Sequence, residues 1–142
     1  MISGRSSDMV KRENKDGFKR IKAKFESELP DLCLRSMLIV ESEAKRIVYL
    51  GHEAGHLKRQ SGDLGRSITT ESELKGRTVR TVTGTNLVYA RIHELGDVRY
   101  EEGVNKYIPP RPYLTPAFVA KKDDVRDKLR TLVKNLIKEE SL

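Results

Sequence analysis

Apolar positions along the chain change rhythm twice, and each rhythm predicts a different element. Phe18, Ile21, Phe25 and Leu29 recur at steps of three and four, which marks one face of a helix. Pro30 follows them, and because proline fits a first helical turn but not an interior, it should end that helix or open the next. A second helix is predicted from Asp31 to Leu50, with Leu34, Met37, Leu38, Ile47, Val48 and Leu50 as its apolar stripe. Glu41, Glu43, Lys45 and Arg46 supply its wet side. Gly51, Gly55 and Gly62 then predict a break. Beyond it, Leu64 to Thr70 and Thr78 to Thr83 are rich in Thr, Val and Ile and read as an antiparallel strand pair, joined by a polar turn around Ser72 to Arg77.

Leu87 to Leu95 fits either a strand or a short helix. The polar, glycine-containing stretch after it predicts a flexible loop over 97–107, and the Ser- and Gly-containing residues 1–8 should also be flexible. Pro109, Pro110 and Pro112 force an extended, proline-rich arm over 108–116. Thr115 followed by Pro116 is a good helix start, with Thr as the cap. Val125, Leu129, Leu132 and Leu136 then carry a closing helix to about Glu139. The expected fold is a single α+β domain over 1–142, with N-terminal helices and a C-terminal helix packed on a small antiparallel β-sheet.

Composition narrows the function classes. The chain has 142 residues, 37% hydrophobic, 35% charged and 6% aromatic, enough for one modest core. A chain this polar is suited to burying part of its apolar surface against a partner or against copies of itself. Its net charge of +7 arises from 28 Lys and Arg against 21 Asp and Glu. Bases and acids are intermixed, as in Lys121-Lys122-Asp123-Asp124, without the interleaved aromatics of a strand-binding surface. A basic nucleic-acid-binding protein, a further alternative, is therefore disfavoured. Cys33 is alone between leucines, which suits a structural thiol and excludes an internal disulfide. No membrane span or signal peptide is expected, so the protein should stay in a reducing cytosol until it is built into something larger.

One constellation looks catalytic. His52-Glu53-Ala54-Gly55-His56 matches the zinc-protease pattern H-E-x-x-H. On a helix the two imidazoles would hold zinc, with Glu53 polarising its water and His93 or Glu94 available as a third ligand. Gly51 and Gly55 each weaken such a helix by about 1 kcal/mol relative to Ala, and the segment runs into the polar Lys58-Arg59-Gln60-Ser61-Gly62. The reading taken is a helix end with no cofactor and no enzymatic activity. His52, His56 and His93 stay as secondary metal candidates, and a small zinc-dependent hydrolase stays as the alternative from another class.

Three segments carry a family resemblance. Ser61-Gly62-Asp63-Leu64-Gly65-Arg66-Ser67-Ile68 resembles the pattern T-G-x-L-x-x-S-I. Gly84-Thr85-Asn86-Leu87-Val88-Tyr89-Ala90-Arg91-Ile92-His93-Glu94-Leu95-Gly96 is similar to G-T-N-x-x-Y-A-x-x-x-E-x-G. Ile108-Pro109-Pro110-Arg111-Pro112-Tyr113-Leu114-Thr115-Pro116-Ala117 is similar to I-P-A-R-P-F-L-x-P-A. In this order and spacing they resemble the tail-completion, or head-to-tail joining, proteins of long-tailed phages. Ser61 stands where the family has Thr, and the His-rich stretch upstream is a further departure.

The resemblance implies a structural virion protein located at the neck, in a homo-oligomeric ring, expected to be a hexamer. Its partners would be head connector or stopper proteins on one side and tail terminator or tail tube proteins on the other. DNA would pass through the lumen without sequence-specific binding. A tail-terminator or minor tail protein is the alternative within virion biology. On physical grounds a proline-stiffened arm loses little entropy on docking. Pro109, Pro110, Arg111, Pro112, Tyr113 and Leu114 are therefore candidate interface residues, with Tyr113 and Leu114 as apolar anchors and Glu94 as the carboxylate for Arg111. The alternative is that Tyr89, Tyr113 and Leu114 are simply core; for the arm the interface reading is preferred, because prolines confine it to a sheet edge.

Overall fold

The computed structural model describes residues 4–50, 62–101 and 103–140. A single helix, α1, runs from Gly4 to Leu50 with Pro30 inside it, so the break expected at that proline does not occur. Proline removes one helical hydrogen bond and crowds the preceding turn, at about 3 kcal/mol. The apolar pattern explains why the helix continues. Leu32, Ser36, Val40, Ala44, Ile47 and Val48 are buried on one face. Phe25 and Leu29, partly buried, stay in phase with that face only if the helix runs through Pro30. Ser36 is satisfied internally, its hydroxyl donating to the Leu32 carbonyl at 2.8 Å.

The rest of the chain forms α2 (Asp63–Ser67), β1 (Thr69–Lys75), β2 (Thr78–Gly84), α3 (Ala90–Leu95), β3 (Asp97–Glu101), β4 (Val104–Ile108) and α4 (Leu114–Glu140). The α+β class is as the sequence predicts, with two differences of detail: one N-terminal helix replaces two, and the sheet is two separate antiparallel pairs, β1–β2 and β3–β4. Helix α4 packs along α1. Tyr113, just before the helix, and Ala117 in its first turn join the core made by Val40, Ala44, Ile47 and Val48, and Leu136 near its other end is also buried. Because α1 stops at Leu50, α4 can stay in contact over that length only by running antiparallel to it. Phe18, further toward the N-terminus, is 74% exposed.

The strand expected from Leu64 begins later. Residues 63–67 form a helical turn instead, entered through Gly62 at φ 81°. Leu64 and Ile68, four apart, are both buried in the core, and that spacing is helical. β1 then pairs with β2 from Thr69↔Gly84 to Lys75↔Thr78, turning at Gly76 with φ 61°. The face toward α1 is a ladder of hydroxyls, with Thr70–Thr83 at 2.9 Å and Ser72–Thr81 at 3.0 Å. Cys33 on α1 meets the Thr81 hydroxyl, and burial nevertheless pushes its thiol above the ordinary value. A raised pKa disfavours the reactive thiolate form.

The polar loop expected over 97–107 is instead the β3–β4 hairpin, in register from Asp97↔Ile108 to Glu101↔Val104. Val98, Val104 and Tyr107 are each more than 60% exposed, so no in-and-out alternation marks the strands. Among the described residues, no helix is long and apolar enough to cross a membrane.

Candidate functional site

Two surfaces organise the second half of the chain: the junction where α3, the proline-rich run and α4 meet, and an open groove on β1–β2. At the junction, α3 ends on Gly96 with φ 75° and ψ 176°, a region essentially reserved for glycine. The Gly96 amide donates to the Ile92 carbonyl at 2.8 Å. A Cβ on Gly96 would stand 2.8 Å from the Ile108 carbonyl oxygen and 3.0 Å from the Pro110 nitrogen. The Arg111 amide donates to the His93 carbonyl at 2.6 Å. The run 108–112 therefore lies across the end of α3 and is tied down by backbone contacts.

Glu94 closes the junction. One of its carboxylate oxygens, Oε2, accepts the amides of Tyr113 at 2.8 Å and Leu114 at 3.0 Å. The other, Oε1, accepts the Thr115 amide at 2.8 Å and the Thr115 hydroxyl at 2.6 Å. Pro116 has no amide hydrogen, and the Ala117 amide reaches the Tyr113 carbonyl at 3.4 Å. Every backbone donor at the start of α4 is thus accounted for. Burial pushes the Glu94 carboxyl upward, and these four hydrogen bonds outweigh it, leaving its pKa below the ordinary carboxylate value.

This geometry corrects three expectations. Thr115 is not the cap of α4; it lies inside the first turn, and Glu94 caps the helix from another element. Glu94 is not the partner of Arg111, because its acceptor sites are taken by stronger-placed backbone donors. Tyr113 is no anchor for a neighbour: it is 1% exposed within its own core, where burial first, then the charges of Glu94 and Tyr89, push its hydroxyl to about 12. Leu114 packs partly against the same core. Of the remaining candidates, Pro109 and Pro110 are exposed, and Arg111 and Pro112 are partly buried.

Arg111 is left with an unmet demand. Its Nε is buried and has no hydrogen-bond acceptor, whereas almost all such donors in folded proteins are paired. Its charge falls on His93, whose imidazole pKa is lowered by burial and then by Arg111. The edge of the His93 ring meets Tyr89 with centroids 5.8 Å apart and planes at 85°. A guanidinium beside His93 opposes cation binding there. His52, Glu53 and His56 lie outside the described residues, and no group of three or more His, Cys, Asp or Glu positioned to hold a metal occurs among the described ones.

Pattern reading missed the second surface. On the face of β1–β2 away from α1, a groove of about 500 Å³ is lined by Ser67, Thr69, Glu71, Val82, Gly84 and Thr85, with Asn86 at its end. Val82 is 48% exposed on its floor, and the space where a Gly84 side chain would stand is open. The signal available in the sequence was an outward valine opposite an outward glutamate, Glu71↔Val82.

With these surfaces described, the comparison with known families is decisive. The sequence pattern of the phage virion morphogenesis family matches residues 41–140, more than two thirds of the chain. The chain belongs to this family. The matched region of this virion morphogenesis protein contains the second part of α1, both hairpins, the Glu94 junction and α4. No curated protein and no solved structure matches it.

Proposed function

We propose that this virion morphogenesis protein is a neck subunit that joins the head connector to the tail tube, working mechanically, without catalysis or cofactor, as a ring of identical copies. The observation that carries this reading is the junction itself. Glu94 and Gly96 come from the second of the three tail-completion-like motifs, and Ile108 to Thr115 from the third. In the fold these motifs are locked into one unit by the four Glu94 hydrogen bonds and the glycine-only contact at Gly96. The positions that give the resemblance its specificity are therefore those with a structural task, which chance similarity would not produce. Partners on this reading are connector or stopper proteins above and terminator or tube proteins below, with DNA passing through the lumen unread.

Position in the particle tests it. With an epitope tag on the chain, gold-labelled antibody should mark the head–tail junction of intact particles. Label along the tail or at its tip would overturn the neck assignment in favour of a minor tail protein.

A further inference from the structure

Two incomplete surfaces on this chain are complementary. The β3–β4 hairpin has no extensive packing on any other described element, although a lone two-stranded hairpin is marginal in water. Val98 and Tyr107 stand opposite each other on one of its faces, 63% and 66% exposed. Just past its base lies Arg111, whose buried Nε lacks an acceptor. The groove on β1–β2 has the converse arrangement: exposed Val82, the vacant space at Gly84, and beside them the Glu71 carboxylate, which no cation or donor meets among the described residues. One surface is an apolar pair beside a cation without an ion-pair partner among the described residues; the other is an apolar floor beside an anion without one.

We propose that the β3–β4 hairpin of one copy docks face-on into the β1–β2 groove of a second copy, setting Val98 and Tyr107 over Val82 and Gly84 and bringing Arg111 to Glu71. The charge complementarity selects a second copy as the occupant, because each surface supplies what the other lacks. A central tyrosine in a desolvated pocket with one charge pair at its margin is a common form of interface anchor. Since the two patches lie at different places on the chain, the contact is head-to-tail, and its repetition yields a ring when the rotation closes. This inference rests on the ring reading above and adds to it the surfaces that meet.

The test uses assembled particles in which the chain carries Cys33→Ser with Tyr107→Cys and Val82→Cys. Mild oxidation should give a ladder of disulfide-linked multimers extending to the full ring, with neither single-cysteine variant giving more than background. A ladder stopping at dimers would overturn head-to-tail docking. A disulfide to another virion protein would overturn the choice of occupant. Absence of any ladder in particles whose copies amine-reactive cross-linking shows to be neighbours would overturn this interface while leaving the ring intact. If amine cross-linking finds no neighbouring copies, the ring reading fails and this inference with it. Independently, Glu71→Arg and Arg111→Glu should each reduce incorporation into particles about tenfold, and the double variant should restore it, as expected for a directly coupled pair. Failure of the double variant to recover, with its fold intact by circular dichroism, would also count against the pairing.

Discussion

Gly96→Ala should destabilise the protein by about 3 kcal/mol, lowering its melting temperature by roughly 10 °C. Two effects add. The backbone at φ 75° and ψ 176° is strained for any residue with a Cβ, at 1–3 kcal/mol as a rough range. The new methyl would also stand 2.8 Å from the Ile108 carbonyl oxygen, an atom held in place by the Asp97↔Ile108 pairing. The clash is with backbone and cannot be relieved by a rotamer change. Damage should concentrate where Gly96 acts. Hydrogen exchange should show the amides of β3, β4 and the Arg111–His93 bond losing protection, while α1 and its packing on α4 keep theirs. Unchanged stability would mean that the proline run does not press on Gly96 as described.

Glu94→Ala should cost about 2–3 kcal/mol, because several amides at the start of α4 lose their only acceptor and a half-buried helix end is left uncapped. Glu94→Gln separates charge from shape. The folded-state pKa of Glu94 lies below its ordinary value: burial raises it, but the hydrogen bonds from Thr115, Tyr113 and Leu114 lower it more. A carboxylate with a depressed folded pKa contributes stability that is fully present above the unfolded value of about 4.3 and is lost as pH falls through the folded value. The stability gap between wild type and Glu94→Gln should accordingly be constant near neutral pH and narrow as pH drops below about 4. Denaturant titrations across pH 3–7 would check this. A gap that widens on acidification would contradict the capping role.

The two mutations act on positions that the sequence did mark, though for other reasons. Glu94 and Gly96 stood out as motif letters, yet the expected partner of Glu94 was Arg111, chosen on opposite charge. The geometry prefers backbone amides, since a helix start offers several convergent donors and Pro116 removes one competitor. Helix α4 was legible because its apolar positions recur with a helical period, and β1–β2 because Thr- and Val-containing runs flank a polar turn, although the face they turn inward is made of hydroxyls. The β3–β4 hairpin was not, because Val98, Val104 and Tyr107 are exposed within the chain and a strand without a buried face has no period to read. Pro30 misled for the opposite reason: local propensity pointed to a stop, while an in-phase apolar stripe on either side favoured continuation. The groove left only a faint trace, since Glu71, Val82 and Gly84 are brought together by strand pairing rather than by spacing.

On the proposed account, the exposed face that leaves the hairpin without a readable period is the face a neighbouring copy covers. An element that leaves Val98 and Tyr107 in water is poorly explained by the stability of one copy and well explained by a neighbour. The protomer then consists of a rigid α1–α4 frame, a Glu94-fastened junction and two hairpins with complementary faces. On the proposed joining reading all three must be held in register, so the Gly96 and Glu94 substitutions should impair particle assembly as well as stability.

The most direct measurement of the joining role is electron microscopy of a phage infection in which this chain is absent. Filled heads and finished tails of normal length should accumulate side by side, unattached. Normal intact particles would contradict a joining function, and overlong or missing tails would instead place the protein among the tail terminators.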